Sequence, residues 1–93
     1  MVQFEWDEAK RRETLRTRGL DFADVARFDW AGAVDILDDR TAYSEERHVA
    51  LGHLDGRLLV VAYTMRGETV RIISMRKASA REPRRHAERT AGG

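Results

Sequence analysis

The stretch Tyr63-Thr64-Met65-Arg66-Gly67-Glu68-Thr69-Val70-Arg71-Ile72-Ile73-Ser74-Met75-Arg76-Lys77 reads as the end of one strand, a glycine-containing turn and a second strand. It sets four cations, Arg66, Arg71, Arg76 and Lys77, on and beside a hairpin. A guanidinium in an apolar strand is costly to desolvate without a partner, which is either a carboxylate of the protein or a phosphate of a ligand. Strict alternation puts Val70, Ile72, Ser74 and Arg76 on one face and Arg71, Ile73, Met75 and Lys77 on the other, so the four cations are expected not to share a face. The ends of the hairpin would still offer cations to the phosphates of a flexible single strand. The bland alternative pairs Arg71 and Arg76 with Glu45, Glu46 or Glu82, in a purely structural role.

Working outward from the hairpin, the strand Arg57 to Met65 is apolar on both faces: Leu59, Val61 and Tyr63 on one, Leu58, Val60 and Ala62 on the other. That pattern belongs to a central strand covered on both sides. Asp55-Gly56 signals a tight turn from a preceding strand at Arg47 to His53, and Ala33 to Leu37 reads as an earlier one. Glu68 to Lys77 is the fourth strand. Before the strands, Asp7 can cap a helix running to about Arg18 and ending at Gly19. Asp21 and Asp24 resemble a capping box for a second helix to about Phe28. The first helix is expected on the surface, held by Leu15 and by Phe4 and Trp6 at its base. The second, flanked and filled by Leu20, Phe22, Ala23, Val25, Ala26, Phe28 and Trp30, is expected to be largely buried. A last helix is expected from Ser79 or Pro83 onward. The predicted fold is therefore α+β, in the order ααββββα: two N-terminal helices, a four-stranded mainly antiparallel sheet and a C-terminal helix.

Ninety-three residues with 42% hydrophobic and 35% charged side chains suit one domain spanning 1–93. The absence of cysteine removes disulfides and thiolate metal sites. The longest apolar run, Leu58 to Tyr63, is far below the roughly 20 residues of a membrane span. Glu5 and Asp7 interrupt any apolar stretch of a signal peptide, so a cytoplasmic, membrane-free protein is expected. The net charge of +1 divides into −1 for residues 1–30, −4 for residues 31–56 and +6 for residues 57–93. A +6 segment can attract a polyanion, or can be balanced by internal pairs. His48 and His53 are five apart on one strand and so on opposite faces, and no other spacing suggests a metal site; none is expected, nor any cofactor. His86 lies among Arg84, Arg85 and Arg89, cations that disfavour its protonation.

The run Phe4-Glu5-Trp6-Asp7 with Lys10, Gly19 and Phe22 resembles the opening of BrnT-type toxins of bacterial toxin–antitoxin pairs. Asp39-Arg40, Tyr43, Glu45-Glu46-Arg47, Tyr63 with Arg66, and Arg71-Ile72-Ile73-Ser74 with Arg76 and Ala78 are similar to the rest of the family's pattern, over about residues 4–86. The resemblance implies a RelE/ParE-like fold and a cytoplasmic ribonuclease toxin that cleaves mRNA endonucleolytically and arrests translation and growth. This chain has Thr14 where the family usually has Asn, Arg18 for the His before the glycine, Met75 for a small residue and His86 for a Tyr.

A metal-independent cleavage uses the RNA's own 2′-hydroxyl and needs a base, cations about the transition state and a donor for the leaving oxygen. On that reading Arg66 and Arg76 are transition-state ligands, Lys10 a further cation or proton carrier, His86 the acid or base, and Glu82 a group that orients His86 or an arginine. Arg71, Lys77 and Arg47 are the expected RNA phosphate contacts. The implied partner is a BrnA-type antitoxin with a ribbon–helix–helix domain, in a heterotetramer of two toxins and two antitoxins that touches DNA only through the antitoxin. Its docking is expected over an exposed apolar patch around Val60 and Ile72 and over the basic C-terminal segment. The alternatives are a non-catalytic RelE/ParE-like binding toxin, such as a gyrase inhibitor, or a degenerate member that only binds antitoxin.

Overall fold

The computed structural model describes residues 2–35 and 47–79. Within them the order is β1 (Gln3–Trp6), α1 (Glu8–Arg18), a 3-10 helix (Phe22–Arg27), β2 (Val34–Asp35), β3 (His48–Leu54), β4 (Arg57–Arg66) and β5 (Thr69–Lys77). The strands make one five-stranded sheet in the order β1-β5-β4-β3-β2. Neighbours from β2 to β5 pair antiparallel, while β1 runs parallel to β5, with Gln3 opposite Thr69 and Trp6 opposite Ile72.

Local chemistry sets the element ends. The Asp7 carboxylate accepts from the N–H groups of Ala9 and Lys10 at 2.9 and 3.2 Å, which starts α1. Gly19 ends it at φ 68°, its N–H donating to the Leu15 carbonyl at 3.0 Å. Asp21 caps the 3-10 helix by accepting from Ala23 N–H at 3.0 Å. At the β3–β4 turn both Asp55 and Gly56 have positive φ, 50° and 81°, which matches the right-handed twist of a tight hairpin.

Two apolar layers lie on either side of β4. On the first face Leu59 and Val61 pack with Ala50, Leu54, Val70, Ile72 and Met75 against Leu20, Phe22, Val25 and Phe28. On the second face Val60 and Ala62 pack with Val49 and Leu51, flanked by Val34, Leu58, Ile73 and Ala78. The double burial of β4 is what its two-sided apolar pattern requires.

The ααββββα order needs correction. Phe4 and Trp6 form a fifth strand that leads into the start of α1, where Trp6 Nε1 donates to the Glu8 carboxylate at 3.2 Å, and their rings pack on the first face of the sheet. The sheet is thus five-stranded and mixed, not four-stranded and mainly antiparallel. The second N-terminal helix is a single 3-10 segment, with Phe22 and Val25 buried and Ala23 and Ala26 exposed. Helix α1 buries no residue and Leu15 is 42% exposed, so Leu15 does not hold it down. Instead Arg11 bridges to Asp21, and Arg18 donates to the Met75 carbonyl at 2.7 Å. The expected C-terminal helix, Asp38 to Arg40, Tyr43, Glu45 and Glu46 lie outside the described residues.

Candidate nucleic-acid interface

A register shift in the β4–β5 ladder decides where the cations point. Ala62 pairs with Ser74, but the next residue, Tyr63, pairs with Ile72, so Ile73 is an extra residue bulged out of β5. The bulge resets the alternation. Val70, Ile72 and Met75 all enter the first-face core, although Met75 is three residues from Ile72. Across the ladder Arg66 pairs with Thr69, Thr64 with Arg71, Ala62 with Ser74 and Val60 with Arg76. Directly paired residues share a face, and so do alternate residues of β4. Arg66, Arg71, Ser74 and Arg76 therefore all belong to the second face, with Val60 and Ala62. This overturns the expectation from unbroken alternation that the hairpin arginines divide between faces.

The other sequence-derived candidates fall around this face. Arg47 immediately precedes β3, two residues from Val49, and continues the row of Thr64 and Arg71 on the same face. Lys77 pairs with Leu59 and belongs by register to the opposite face, where it is exposed. Lys10 is on α1, beside β5. His86 and Glu82 lie outside the described residues.

Arg71 has a neighbour that the sequence did not suggest. Glu5 on β1 stands opposite it in the parallel ladder, and its carboxylate lies 3.5 Å from the Arg71 guanidinium. Both side chains are partly exposed, so the pair holds Arg71 without burying it. Arg76 donates to the carbonyl of Lys77 at 3.2 Å.

Beyond Ile72 no described strand pairs with the outer edge of β5; α1 flanks it instead. The two enclose a cleft of about 340 Å³ lined by Lys10, Glu13, Thr14, Thr17, Arg18, Ile73 and Ser74. The helical residues recur at positions 10, 13–14 and 17–18, one face of an α-helix, and that spacing was available in the sequence. Thr14 and Arg18, two positions where the chain departs from the BrnT pattern, both line this cleft. Glu13 is engaged by Arg16, whose Nη2 lies 2.7 and 2.8 Å from its two carboxylate oxygens. The cleft keeps the positive charge of Lys10 and Arg18.

The apolar patch expected around Val60 and Ile72 is not exposed: these residues are only 4% and 2% accessible. Among the described residues no group of three or more His, Cys, Asp or Glu is suited to hold an ion. His48 stacks on Tyr63 with ring centroids 5.2 Å apart, on the first face, which continues through Trp30 to Phe28 and Phe4. Among the described residues no helix is long and apolar enough to cross a membrane.

Together the fold and the site define a small α+β domain with a cation-bearing sheet face and an adjoining basic cleft. A family model described as "Ribonuclease toxin, BrnT, of type II toxin-antitoxin system" matches residues 6–82. The crystal structure of the Brucella abortus ribonuclease toxin, BrnT, is similar to this chain at 30% identity with a TM-score of 0.67, over 85% of this chain and 99% of that one. No curated protein matches it. The chain belongs to the BrnT family of ribonuclease toxins of type II toxin–antitoxin systems.

Proposed function

We propose that this toxin is a metal-independent endoribonuclease that cleaves mRNA in the cytoplasm and is held inactive by an antitoxin. The observation that carries the reading is the bulge at Ile73, which aligns Arg66, Arg71 and Arg76 on one sheet face beside Lys10. RNA supplies its own nucleophile, the 2′-hydroxyl, which attacks the adjacent phosphorus and expels the 5′-oxygen. The added negative charge on the phosphoryl oxygens is what fixed guanidinium groups stabilise, and donors aimed at developing charge are the largest single contribution in such sites. Arg76 and Arg66 serve as transition-state ligands, Arg71, Arg47 and Lys77 as phosphate contacts, and Lys10 as a cation or proton carrier. His86 is the proposed acid or base and Glu82 its orienting group. Because Lys77 belongs by register to the opposite face, it would contact a phosphate only where the strand leaves the sheet.

The antitoxin, of BrnA type with a ribbon–helix–helix domain, would lay an acidic segment over the second face and shut out RNA. The burial of Val60 and Ile72 leaves charge rather than an open apolar patch as the attraction, so the complex should weaken with salt. Two toxins on an antitoxin dimer would give a heterotetramer in which only the antitoxin touches DNA, each toxin being one domain over 1–93.

The test is cleavage of a defined transcript by purified toxin in EDTA, alongside growth arrest in cells. Arg76→Ala should lower the cleavage rate by about 10²–10³, the loss typical of one such donor, and relieve arrest with the fold intact. Intact RNA in EDTA with restoration by a divalent ion would refute the metal-independent chemistry; equal toxicity of parent and variant would refute the role of Arg76.

A further inference from the structure

We propose that the cleft between α1 and the outer edge of β5 is an adjoining phosphate subsite for the RNA strand, with Arg18 as its own cation, Lys10 shared with the cleavage site, and Thr14 and Ser74 as hydroxyl partners. This rests on the ribonuclease reading above and adds to it the path of the substrate. The cleft, at about 340 Å³, lies at the lower end of ligand-pocket volumes, roughly 300–1,000 Å³.

Three observations fix its chemistry. First, Arg18 is preset: one guanidinium nitrogen donates to the Met75 carbonyl at 2.7 Å, so the group is held at the cleft while keeping further N–H donors. Second, the one carboxylate in the lining is neutralised within α1, because Arg16 clasps Glu13. Thr17 is likewise occupied, donating to the Glu13 carbonyl at 2.8 Å. Third, the cleft is continuous with the arginine face. Ser74 lines the cleft and stands between Arg71 and Arg76 along β5, opposite Ala62. A strand whose scissile phosphate rests among the arginines thus has its next phosphate delivered to the edge of β5. Lys10 and Arg18 are eight residues apart, about 12 Å along the helix axis, a span that their long side chains close onto one phosphodiester or share between neighbours.

The test is binding of a 2′-O-methyl oligoribonucleotide, which cannot be cleaved, to the full chain by fluorescence anisotropy across a salt series. Arg18→Gln should weaken binding by about tenfold at low salt and flatten the salt dependence by about 0.7, the contribution of one single-strand phosphate contact. Thr14→Asp places a carboxylate in the cleft while sparing the Arg18–Met75 bond, and should weaken binding as strongly. Arg12→Gln removes the same charge from α1 outside the cleft lining and should change neither quantity. Parent-like binding by both cleft variants, with loss in Arg71→Gln and Arg76→Gln, overturns the subsite and leaves the ribonuclease reading standing. A parent that binds no RNA overturns both. Capture of a polyglutamate peptide that Arg18→Gln abolishes, with oligonucleotide affinity unchanged, assigns the cleft to a protein carboxylate and also overturns the proposal.

Discussion

Gly52 on β3 pairs with Leu59 and turns its missing side chain toward the first-face core, which makes Gly52→Ala a sharp probe of how that core is filled. A Cβ at this position would lie 2.8 Å from Cζ of Phe28, 2.9 Å from Cβ of Ala33 and 3.3 Å from its Cα. Carbon atoms pack best at roughly 3.5–4.0 Å, so the ring tip and Ala33 must both retreat by more than half an ångström. Neither retreat is cheap. Ala33 has no flexible side chain, and Phe28 is buried with its ring edge-on to Trp30 at 4.8 Å. Overpacking of this kind costs about 1–3 kcal/mol. For a chain of this length each kcal/mol lowers the Tm by roughly 4–8 °C, which scanning calorimetry of the purified protein resolves easily. Phe28→Leu removes the clashing ring tip, so the double variant should be less destabilised than the sum of the singles, a coupling of about 0.5–3 kcal/mol. RNA affinity per folded molecule should be unchanged, because the arginines occupy the opposite sheet face. An unchanged Tm for Gly52→Ala, or strict additivity with Phe28→Leu, would refute the packing argument.

Glu5→Gln releases Arg71 from its carboxylate neighbour and should tighten oligonucleotide binding by up to about fivefold, the worth of a partly exposed ion pair; anisotropy titration checks this, and weaker binding would show that Glu5 positions Arg71 rather than competing for it. Arg27 of the 3-10 helix hydrogen-bonds Asp55 in the β3–β4 turn, Nη2 to Oδ2 at 2.7 Å, and this bond holds the Asp55 carboxyl below the usual carboxylate range. A depressed pKa contributes stability above the unfolded value of about 3.9 and loses it as pH falls through the folded value, so Asp55→Asn should be less stable than the parent at neutral pH and converge on it in acid. Asparagine tolerates the positive φ of Asp55, which keeps that comparison clean; urea melts at several pH values would read it. Asp7→Ala removes the cap of α1 and should cost about 1 kcal/mol by urea denaturation, with a larger effect on RNA binding if Lys10 is displaced with the first turn.

Local signals in the sequence specified much of this molecule. Asp7 and Gly19 bounded α1, Asp55-Gly56 fixed a tight hairpin, and the two-sided apolar pattern of Leu58 to Tyr63 placed β4 at the centre of a sheet. Each of these depends on residues adjacent in the chain, through a cap, a turn or a period. The motif that marks the family is likewise linear. Tertiary structure alone decided the rest. That Phe4 and Trp6 form a strand depends on parallel pairing with Thr69 to Ile72, a partner more than sixty residues away that no local pattern announces. Ile73 bulges where the β1 pairing ends, and the bulge shifts Met75 into the core and brings Arg71 and Arg76 onto the face of Arg66. Alternation read from sequence assumes an unbroken ladder, and one inserted residue inverts every assignment beyond it. The cleft was half legible: Lys10, Thr14 and Arg18 recur at helical spacing, but Ser74 joins them only because α1 folds against the edge of β5, and the pairing of Arg71 with Glu5 exists only because β1 lies beside that strand.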